Sequence, residues 1–240
     1  MSQFSLTMPV CNADGDFRGL LKPSALLRYT EQVSAGHVCS FGMDDAFFKA
    51  RGVAFFVGRQ ALRVARPPRR GEPLTLTTCI ERPRRGSMKR LTTVQDAAGQ
   101  QIALVDSRWI AVDTVRGHIL REPGWDTGAL LTDALEGELP QQVHRCGTLA
   151  SAGLWRAGYS LCDIHGHINN ACYLDIACDA LPSGVVERAP MRFASIKYNR
   201  QVPLGAEMEV LYGPSGQGWY VVGRREGHNA FECYLEFGEG

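Results

Sequence analysis

Hydrophobic residues recur at helical spacing in three stretches of the chain, residues 22–41, 44–51 and 170–181. The first carries Pro23, which suits the first turn of a helix because an N–H has no intrahelical partner there. The third stops at a Pro-Ser-Gly sequence, residues 182–184, which is typical of a helix end. The pattern predicts two substantial helices and a short one between them in sequence.

Alternation of apolar and polar residues predicts strands through much of the remaining chain. The clearest strand patterns cover residues 74–81, 101–112, 207–212 and 231–237. Turn-forming residues separate the strands at 97–99, 213–216 and 226–229. Few helices and many antiparallel strands together indicate an α+β fold.

The order of loop, helix and antiparallel strands occurs twice, and short sequence matches accompany it. The Asp16-Phe-Arg-Gly19 sequence precedes the helix predicted at residues 22–41, and Asp163-Ile-His-Gly166 precedes the one at residues 170–181, at an offset of 147 residues. Gly71 and Gly205 each open an alternating strand, at an offset of 134 residues. We interpret the chain as a tandem duplication with an N-terminal unit, a connector without strand periodicity and a C-terminal unit, at residues 1–123, 124–148 and 149–240.

Composition and charge narrow the class of protein. Hydrophobic residues make up 45% of the chain and charged residues 21%, which excludes disordered, collagen-like and coiled-coil chains. No apolar run reaches the roughly 18 residues of a membrane span, and no signal peptide is evident, so we expect a cytoplasmic location. The net charge of +1 by itself indicates neither a nucleic-acid nor an acidic partner. Eight cysteines without a C-x-x-C pair are expected to be reduced thiols.

The densest polar stretch is residues 159–170, directly before the third predicted helix. It carries one carboxylate, two imidazoles and two amides, on Asp163, His165, His167, Asn169 and Asn170. A helix N-terminus offers free N–H groups that can stabilise an oxyanion, and an aspartate beside it could act as base or nucleophile. The residues alone also allow a structural turn with an asparagine as the helix N-cap, or a metal site at the Asp-x-His-x-His spacing.

Residues 163–173 resemble the Asp-x-Asn-Gly/Gln-His-Val-Asn-Asn-x-x-Tyr signature of the acyl-ACP thioesterase family. The likeness covers almost the whole chain and includes residues 29–32, 40–43, 107–113 and 174–182. The duplicated layout favours the acyl-ACP branch, in its bacterial form. The resemblance implies a double hotdog fold, in which two antiparallel sheets each wrap a central helix. It also implies that the N-terminal unit binds the acyl chain and the C-terminal unit is catalytic.

The resemblance assigns roles within the polar stretch. Asp163 matches the catalytic carboxylate, and His167 matches the family's histidine. Asn169 and Asn170 match its paired asparagines and, with Gly166, are expected to bind the substrate. His165 replaces an asparagine of the signature. We expect Asp163 to activate water or to attack the thioester, and both histidines to position the carboxylate or to protonate the leaving thiolate.

The resemblance also implies a second catalytic position, in the strand that follows the helix. Gln201 stands where the family has a glutamate, and its amide is expected to hold the attacking water. Val202 stands where a cysteine often follows, which excludes a thiol nucleophile at that position. Backbone N–H groups near Gly166 are expected to polarise the thioester carbonyl.

Two further features concern the substrate. Residues 63–90 contain nine Lys or Arg residues and two Glu. This basic segment either steers an acidic acyl carrier protein, through Arg84 and Arg85, or belongs to solvated turns and strand ends. Aromatic residues concentrated in residues 41–56 either line an acyl pocket or belong to an ordinary core.

The expected function is hydrolysis of fatty acyl-ACP to free fatty acid and carrier thiol, as part of fatty acid biosynthesis. We expect no metal or other cofactor, no nucleic-acid partner and no membrane span, and a homodimer is one assembly considered. The alternatives are a hotdog acyl-CoA or aryl-CoA thioesterase, a non-catalytic acyl or acyl-carrier-protein binding module, and a metal site at the Asp-x-His-x-His sequence.

Overall fold

The computed structural model describes residues 2–122 and 124–238. The chain forms two compact units. The first unit contains residues up to 58 and residues 66–139, and the second contains residues 59–65 and the chain from residue 140 onward. The boundary after residue 139 lies inside the segment 124–148, which has no strand periodicity in the sequence.

Helices of the first unit lie where the hydrophobic spacing predicts them. Helix α1 spans Pro23–Cys39 and has proline at its first turn, and helix α2 spans Asp45–Ala50. The Asp44 carboxylate accepts a hydrogen bond from the Phe47 N–H at 2.8 Å, which caps α2. The side chains of α1 that are buried include four that are almost fully enclosed, Ala25, Leu26, Leu27 and Val33.

The strands of the first unit are antiparallel except for one short pair. They are β1 (Phe4–Pro9), the first part of β2 (Val53–Val64), β3 (Pro73–Glu81), β4 (Ser87–Gln95), β5 (Gln101–Asp113), β6 (His118–Leu120) and β7 (Leu131–Thr132). The order is β1-β3-β4-β5-β2, with β6 beside β5 and β7 joined to β3 as a parallel pair. Helix α1 packs against β1 and β3, so its apolar face and the inner face of the sheet form one core.

The second unit repeats this plan. Its elements are β8 (Ala150–Arg156), α3 (Cys172–Ala180), α4 (Ser183–Arg188), β9 (Met191–Tyr198), β10 (Glu207–Ser215), β11 (Gly218–Arg225) and β12 (His228–Phe237). The later part of β2 pairs with β9, and the order continues β9-β12-β11-β10-β8, antiparallel throughout. Helix α3 packs against β10, β11 and β12, with the Tyr173 ring 4.7 Å from the Phe231 ring.

Helix α3 ends before Pro182, as predicted, and the short helix α4 begins at Ser183. One predicted turn differs in detail. The turn predicted at residues 213–216 is tighter, since Gly213 and Pro214 belong to β10 and only Gly216 and its neighbour separate β10 from β11. A side chain at residue 213 would collide with the Thr148 carbonyl, so this glycine is required by close packing and not by a turn.

The mainly antiparallel strands and the small number of helices agree with the predicted α+β class and with a hotdog fold. Within residues 2–122 and 124–238, none of the helices has the length and apolar character that a membrane crossing requires.

Candidate active site

The predicted catalytic residues lie on a tight turn between β8 and α3. The Asp163 N–H donates to the His167 carbonyl at 3.0 Å, and the Gly166 N–H donates to the Asp163 carbonyl at 3.0 Å. Gly166 has a φ of 75°, a left-handed conformation that glycine adopts without a steric penalty. The side chains of Asp163, His165 and His167 are therefore brought to one turn.

The Asp163 carboxylate has one oxygen in the turn and one available to a ligand. Oδ1 accepts a hydrogen bond from the His165 N–H at 2.9 Å and lies 3.8 Å from His167 Nδ1. No described residue donates a hydrogen bond to Oδ2. The His165 and His167 rings stack with their centroids 5.8 Å apart. A carboxylate and two imidazoles at one partly exposed turn can accept and return a proton.

Gln201 lies in the loop after β9 and not within the predicted strand, because β9 ends at Tyr198. This loop runs beside the turn. The Ile168 N–H donates to the Val202 carbonyl at 2.9 Å, and the Leu204 N–H donates to the Gly166 carbonyl at 2.9 Å. These two bonds place the backbone of residues 202–204 against that of residues 166–168. The Gln201 side chain itself is exposed, and Val202 is buried.

The paired asparagines connect the turn to α3. The helix begins at Cys172, and neither asparagine is its N-cap, because Ala171 occupies that position. The Asn169 Oδ1 accepts from the Ala171 N–H at 2.9 Å, so Asn169 closes the turn before the helix. The expectation of an asparagine N-cap is therefore wrong by one or two residues.

Two polar residues of the second unit, the buried Gln60 and the half-buried Tyr198, support the start of α3, and the sequence analysis missed both. The Tyr198 hydroxyl lies 2.7 Å from Gln60 Oε1 and 3.1 Å from the Asn170 carbonyl. Gln60 is 3% exposed. One signal in the sequence could have identified Gln60. A glutamine among the apolar residues of β2 is expected to be buried, and a buried amide requires a hydrogen-bond partner.

The first unit contains the same turn without the same chemistry. There the Asp16 N–H donates to the Leu20 carbonyl at 2.7 Å and the Gly19 N–H donates to the Asp16 carbonyl at 2.9 Å. The Leu21 N–H donates to Pro68, and the Arg70 N–H donates to Gly19, at the positions that the offsets of 147 and 134 residues predict. This agreement, bond by bond, supports the tandem duplication.

The two aspartates differ in what surrounds them. The Asp16 carboxylate accepts hydrogen bonds from the Arg18 guanidinium at 3.0 and 2.7 Å and from two backbone N–H groups. At Asp163, two histidines stand in place of the arginine, and one backbone N–H donates to the carboxylate where Asp16 has two. Only the turn of the second unit therefore presents a carboxylate oxygen without a donor among the described residues.

The basic segment is less cationic than its sequence indicates. Arg90 is 4% exposed, and Arg66 is paired with Glu72 and Asp96. Arg84 lies on the β3–β4 hairpin, where its Nε is 2.8 Å from a Glu81 oxygen. Its neighbour Arg85 is exposed in the same hairpin. Of the two residues predicted to contact a carrier, Arg85 is the one without a carboxylate partner among the described residues.

The aromatic stretch of the first unit forms part of a packed apolar cluster. The Phe48 ring is 4.9 Å from the Phe55 ring, and the Phe47 ring is 6.1 Å from the Trp125 ring. The buried members around them are Met43, Val53, Ile80, Met88, Ala111, Leu130 and Leu131. Phe56 lies outside the cluster and is 40% exposed.

No group of three histidine, cysteine, aspartate or glutamate side chains is arranged to hold a metal ion in the part of the chain that the structure describes. In particular, Asp163, His165 and His167 share one turn without converging as ligands.

Comparison with known proteins identifies the family. The model of the acyl-ACP thioesterase N-terminal domain matches residues 2–121, and that of the C-terminal domain matches residues 155–235. The acyl-[acyl-carrier-protein] hydrolase FATB2 of Cuphea viscosissima is 22% identical over 214 residues, which are 81% of this chain and 51% of that protein. The palmitoyl-acyl carrier protein thioesterase of Arabidopsis thaliana is 21% identical over 194 residues, 73% of this chain and 45% of that protein. The chain thus spans about half the length of these curated relatives.

Solved structures show the same fold. An acyl-ACP thioesterase from Bacteroides thetaiotaomicron has a TM-score of 0.86 at 19% identity, covering 99% of this chain and 100% of that one. A 12:0-ACP thioesterase from Umbellularia californica has a TM-score of 0.79 at 16% identity, covering 98% of this chain and 97% of that one. Since the two family models together cover most of the sequence, the chain belongs to the acyl-ACP thioesterase family.

Proposed function

We propose that the protein is a thioesterase that hydrolyses fatty acyl-acyl carrier protein to a free fatty acid and the carrier thiol. The observation that carries the proposal is the turn before α3, where Asp163 keeps Oδ2 without a protein donor among the described residues. A hydrolase needs such a group, whereas the equivalent Asp16 has its carboxylate occupied by Arg18.

In the proposed reaction the thioester carbonyl lies at the turn of residues 163–167. The Gly166 N–H already donates to Asp163, so the His167 N–H is the backbone group that would polarise the carbonyl. Asp163 removes a proton from water as the water oxygen attacks the carbonyl carbon, and Gln201 orients that water. The carbon–sulfur bond then breaks, and His165 or His167 returns a proton to the thiolate. Direct attack by Asp163 is the alternative first step.

The two duplicated units are proposed to have different roles. We assign acyl-chain binding to the N-terminal unit, residues 1–123, and catalysis to the C-terminal unit, residues 149–240, with residues 124–148 as the connector. The aromatic cluster of the first unit supports the first assignment because it offers an apolar surface. In each unit we propose a hotdog arrangement, in which the sheet wraps the helix that packs on it, α1 or α3.

The proposed carrier is acyl carrier protein, contacted by Arg84 and Arg85. An acidic partner would gain most from Arg85, because Glu81 already pairs with Arg84. The remaining assignments are a cytoplasmic location, a role in fatty acid biosynthesis, a mechanism without metal or other cofactor, and a homodimer as the assembly to be tested.

The decisive measurement is thiol release from a panel of acyl-ACP and acyl-CoA thioesters. Asp163→Asn keeps an oxygen that can accept the His165 N–H and removes the charge, so we expect a loss of at least about a hundredfold in kcat with an unchanged melting temperature. Asp16→Asn is the matched control at the same turn and should keep its kcat within about twofold. Normal turnover by Asp163→Asn would refute the assignment.

The carrier is tested separately with Arg85→Glu. We expect KM for acyl-ACP to rise about tenfold and KM for acyl-CoA to stay constant, because only the protein carrier reaches the hairpin. Arg188→Glu, which changes an exposed residue of α4 by the same charge, is the control. No turnover of any thioester by the wild type would instead favour a binding module, in line with His165 and Gln201 replacing the family's asparagine and glutamate.

A further inference from the structure

A polar cavity of about 780 Å³ lies in the second unit, on the opposite face of the sheet from α3. Phe231 contacts Tyr173 of α3, so its neighbour Glu232 faces the other way and lines the cavity. The same alternation applies on β9, where Tyr198 contacts the start of α3 and Lys197 lines the cavity. The cavity is therefore separate from the proposed catalytic turn.

The cover of this cavity is an ordered segment, residues 141–145. The Ser195 hydroxyl donates to the Gln142 carbonyl at 2.8 Å, and the Ser215 hydroxyl donates to the His144 carbonyl at 3.0 Å. Arg145 forms two hydrogen bonds to Glu232, at 2.6 and 3.0 Å. These bonds hold the segment over the sheet, so the cavity is part of the folded unit.

Three cations and one carboxylate line the cavity. The carboxylate of Glu232 is 1% exposed and is occupied by Arg145, by the Tyr220 hydroxyl at 2.8 Å and by the Asn199 amide at 3.3 Å. Burial opposes its ionisation, but the hydrogen bonds from Arg145 and Tyr220 outweigh that effect and lower its pKa. Glu232 is thus an anion whose charge is already matched by Arg145.

The other two cations of the cavity lack a direct ion pair among the described residues. Arg59 on β2 and Lys197 on β9 stand directly opposite each other in the strand register. Within residues 2–122 and 124–238, no carboxylate lies within 4 Å of either one. The Arg59 guanidinium makes one long hydrogen bond, 3.4 Å to the Gln141 carbonyl. Lys197 also stands directly opposite Glu232 on β12, but that carboxylate is already bonded to Arg145, so the cavity lining carries more positive than negative charge.

We propose that this cavity binds a phosphate-bearing small anion between Arg59 and Lys197. A phosphoryl group has acceptor oxygens in several directions, so it can take donors from a guanidinium on one strand and an ammonium on the next at the same time. The volume lies in the range of small-molecule sites and exceeds that of one phosphate, which leaves room for a second phosphate or an organic group. The proposal does not depend on the proposed thioesterase activity.

The test is calorimetric titration of the whole protein with inorganic pyrophosphate at low salt. We expect saturable binding to the wild type that weakens about tenfold or more in Arg59→Gln and in Lys197→Gln, and that is largely retained in Lys197→Arg. Arg63→Gln is the matched control, because Arg63 lies on the same face of β2 but packs over the Phe193 ring instead of lining the cavity. Equal loss of binding in Arg63→Gln, or no saturable binding by the wild type, would overturn the proposal.

Three further measurements sharpen it. Citrate should bind at least tenfold more weakly than pyrophosphate, and equal binding would refute the preference for phosphate. Adenosine diphosphate separates the two sources: tighter binding than pyrophosphate supports a phosphate ester, and equal binding supports the free inorganic anion. Asp163→Asn should bind pyrophosphate as the wild type does, whatever its turnover, so that failure of this site and failure of the catalytic proposal are distinguishable.

Discussion

Asp16 and Asp163 occupy the same turn in the two units and differ only in their partners. Each accepts the N–H two residues ahead, at 2.8 and 2.9 Å, which fixes the turn. The Arg18 guanidinium then neutralises Asp16, whereas imidazoles flank Asp163. The residue that makes one turn a candidate for catalysis is therefore the neighbour of the aspartate and not the aspartate alone.

The glycines of these turns provide a matched pair of substitutions. Gly19 and Gly166 have φ values of 72° and 75°, and a Cβ at either would meet nothing within 4 Å. Gly19→Ala and Gly166→Ala should each lower the free energy of unfolding by about 1 kcal/mol, from backbone strain alone. Urea denaturation measures that cost. Only Gly166→Ala should also lower kcat, and an equal loss in Gly19→Ala would show that the effect is general destabilisation.

Tyr198 is expected to act as a positioning residue for the proposed site. Its hydroxyl contacts the Asn170 carbonyl and Gln60 Oε1, so Tyr198→Phe removes the hydroxyl between the helix start and β2. We expect a loss of about 1 kcal/mol in stability and a several-fold lower kcat with little change in KM. Tyr212→Phe, at a half-buried tyrosine packed on Trp219, is the control and should leave kcat unchanged. A change in KM alone would contradict the positioning role.

At the scale of elements, local signals were sufficient for the long helices and for the repeated turn. Pro23, the apolar spacing of α1 and the two Asp-x-x-Gly sequences are all local, and the structure has each where the sequence predicts it. The end of β10 could not be predicted from local signals in the sequence. Gly213 looks like a turn residue, but its role is a close approach to Thr148, which is 65 positions away in sequence.

The proposed catalytic turn was predictable for a similar reason, and the residues that support it were not. The Asp163 turn is complete within a few residues, so its pattern appears in the sequence. Tyr198 and Gln60 act on Asn170 through contacts between distant parts of the chain, which no periodicity reports. The charge of residues 63–90 is likewise redistributed by pairing, as with Arg66 and its two carboxylates.

Helix α2 is short enough that its cap should matter. Its six residues form few intrahelical hydrogen bonds, so the bond from the Phe47 N–H to Asp44 is a large fraction of the total. Asp44→Ala should cost about 1 kcal/mol of unfolding free energy. Asp45→Ala, one residue into the helix, removes the same charge without the cap and should cost less than half of that. Chemical denaturation of both variants decides the point.

On the scale of the whole molecule, one cation is buried without a carboxylate in the described part of the chain. Arg90 is 4% exposed and places Nη1 3.2 Å from His37 Nδ1 and 3.2 Å from the Thr78 hydroxyl. An arginine at that distance requires His37 to be neutral, with Nδ1 as acceptor and the Nε2 proton directed at the Ser2 hydroxyl 3.1 Å away. Burial, and then the charge of Arg90, lower the pKa of His37 to about 4.

This histidine makes the stability of the folded chain depend on pH in a defined window. The unfolded chain binds a proton at His37 below about pH 6.5, and the folded chain does not until about pH 4, so protons favour unfolding between these values. The wild type should therefore lose about 1.5 kcal/mol between pH 6.5 and pH 5, before most carboxylates titrate. His37→Gln lacks the titrating group and should show a flatter profile, whereas the exposed His228→Gln should follow the wild type. Urea denaturation at a series of pH values measures all three, and a profile for His37→Gln as steep as that of the wild type would mean that another group is responsible for the pH dependence.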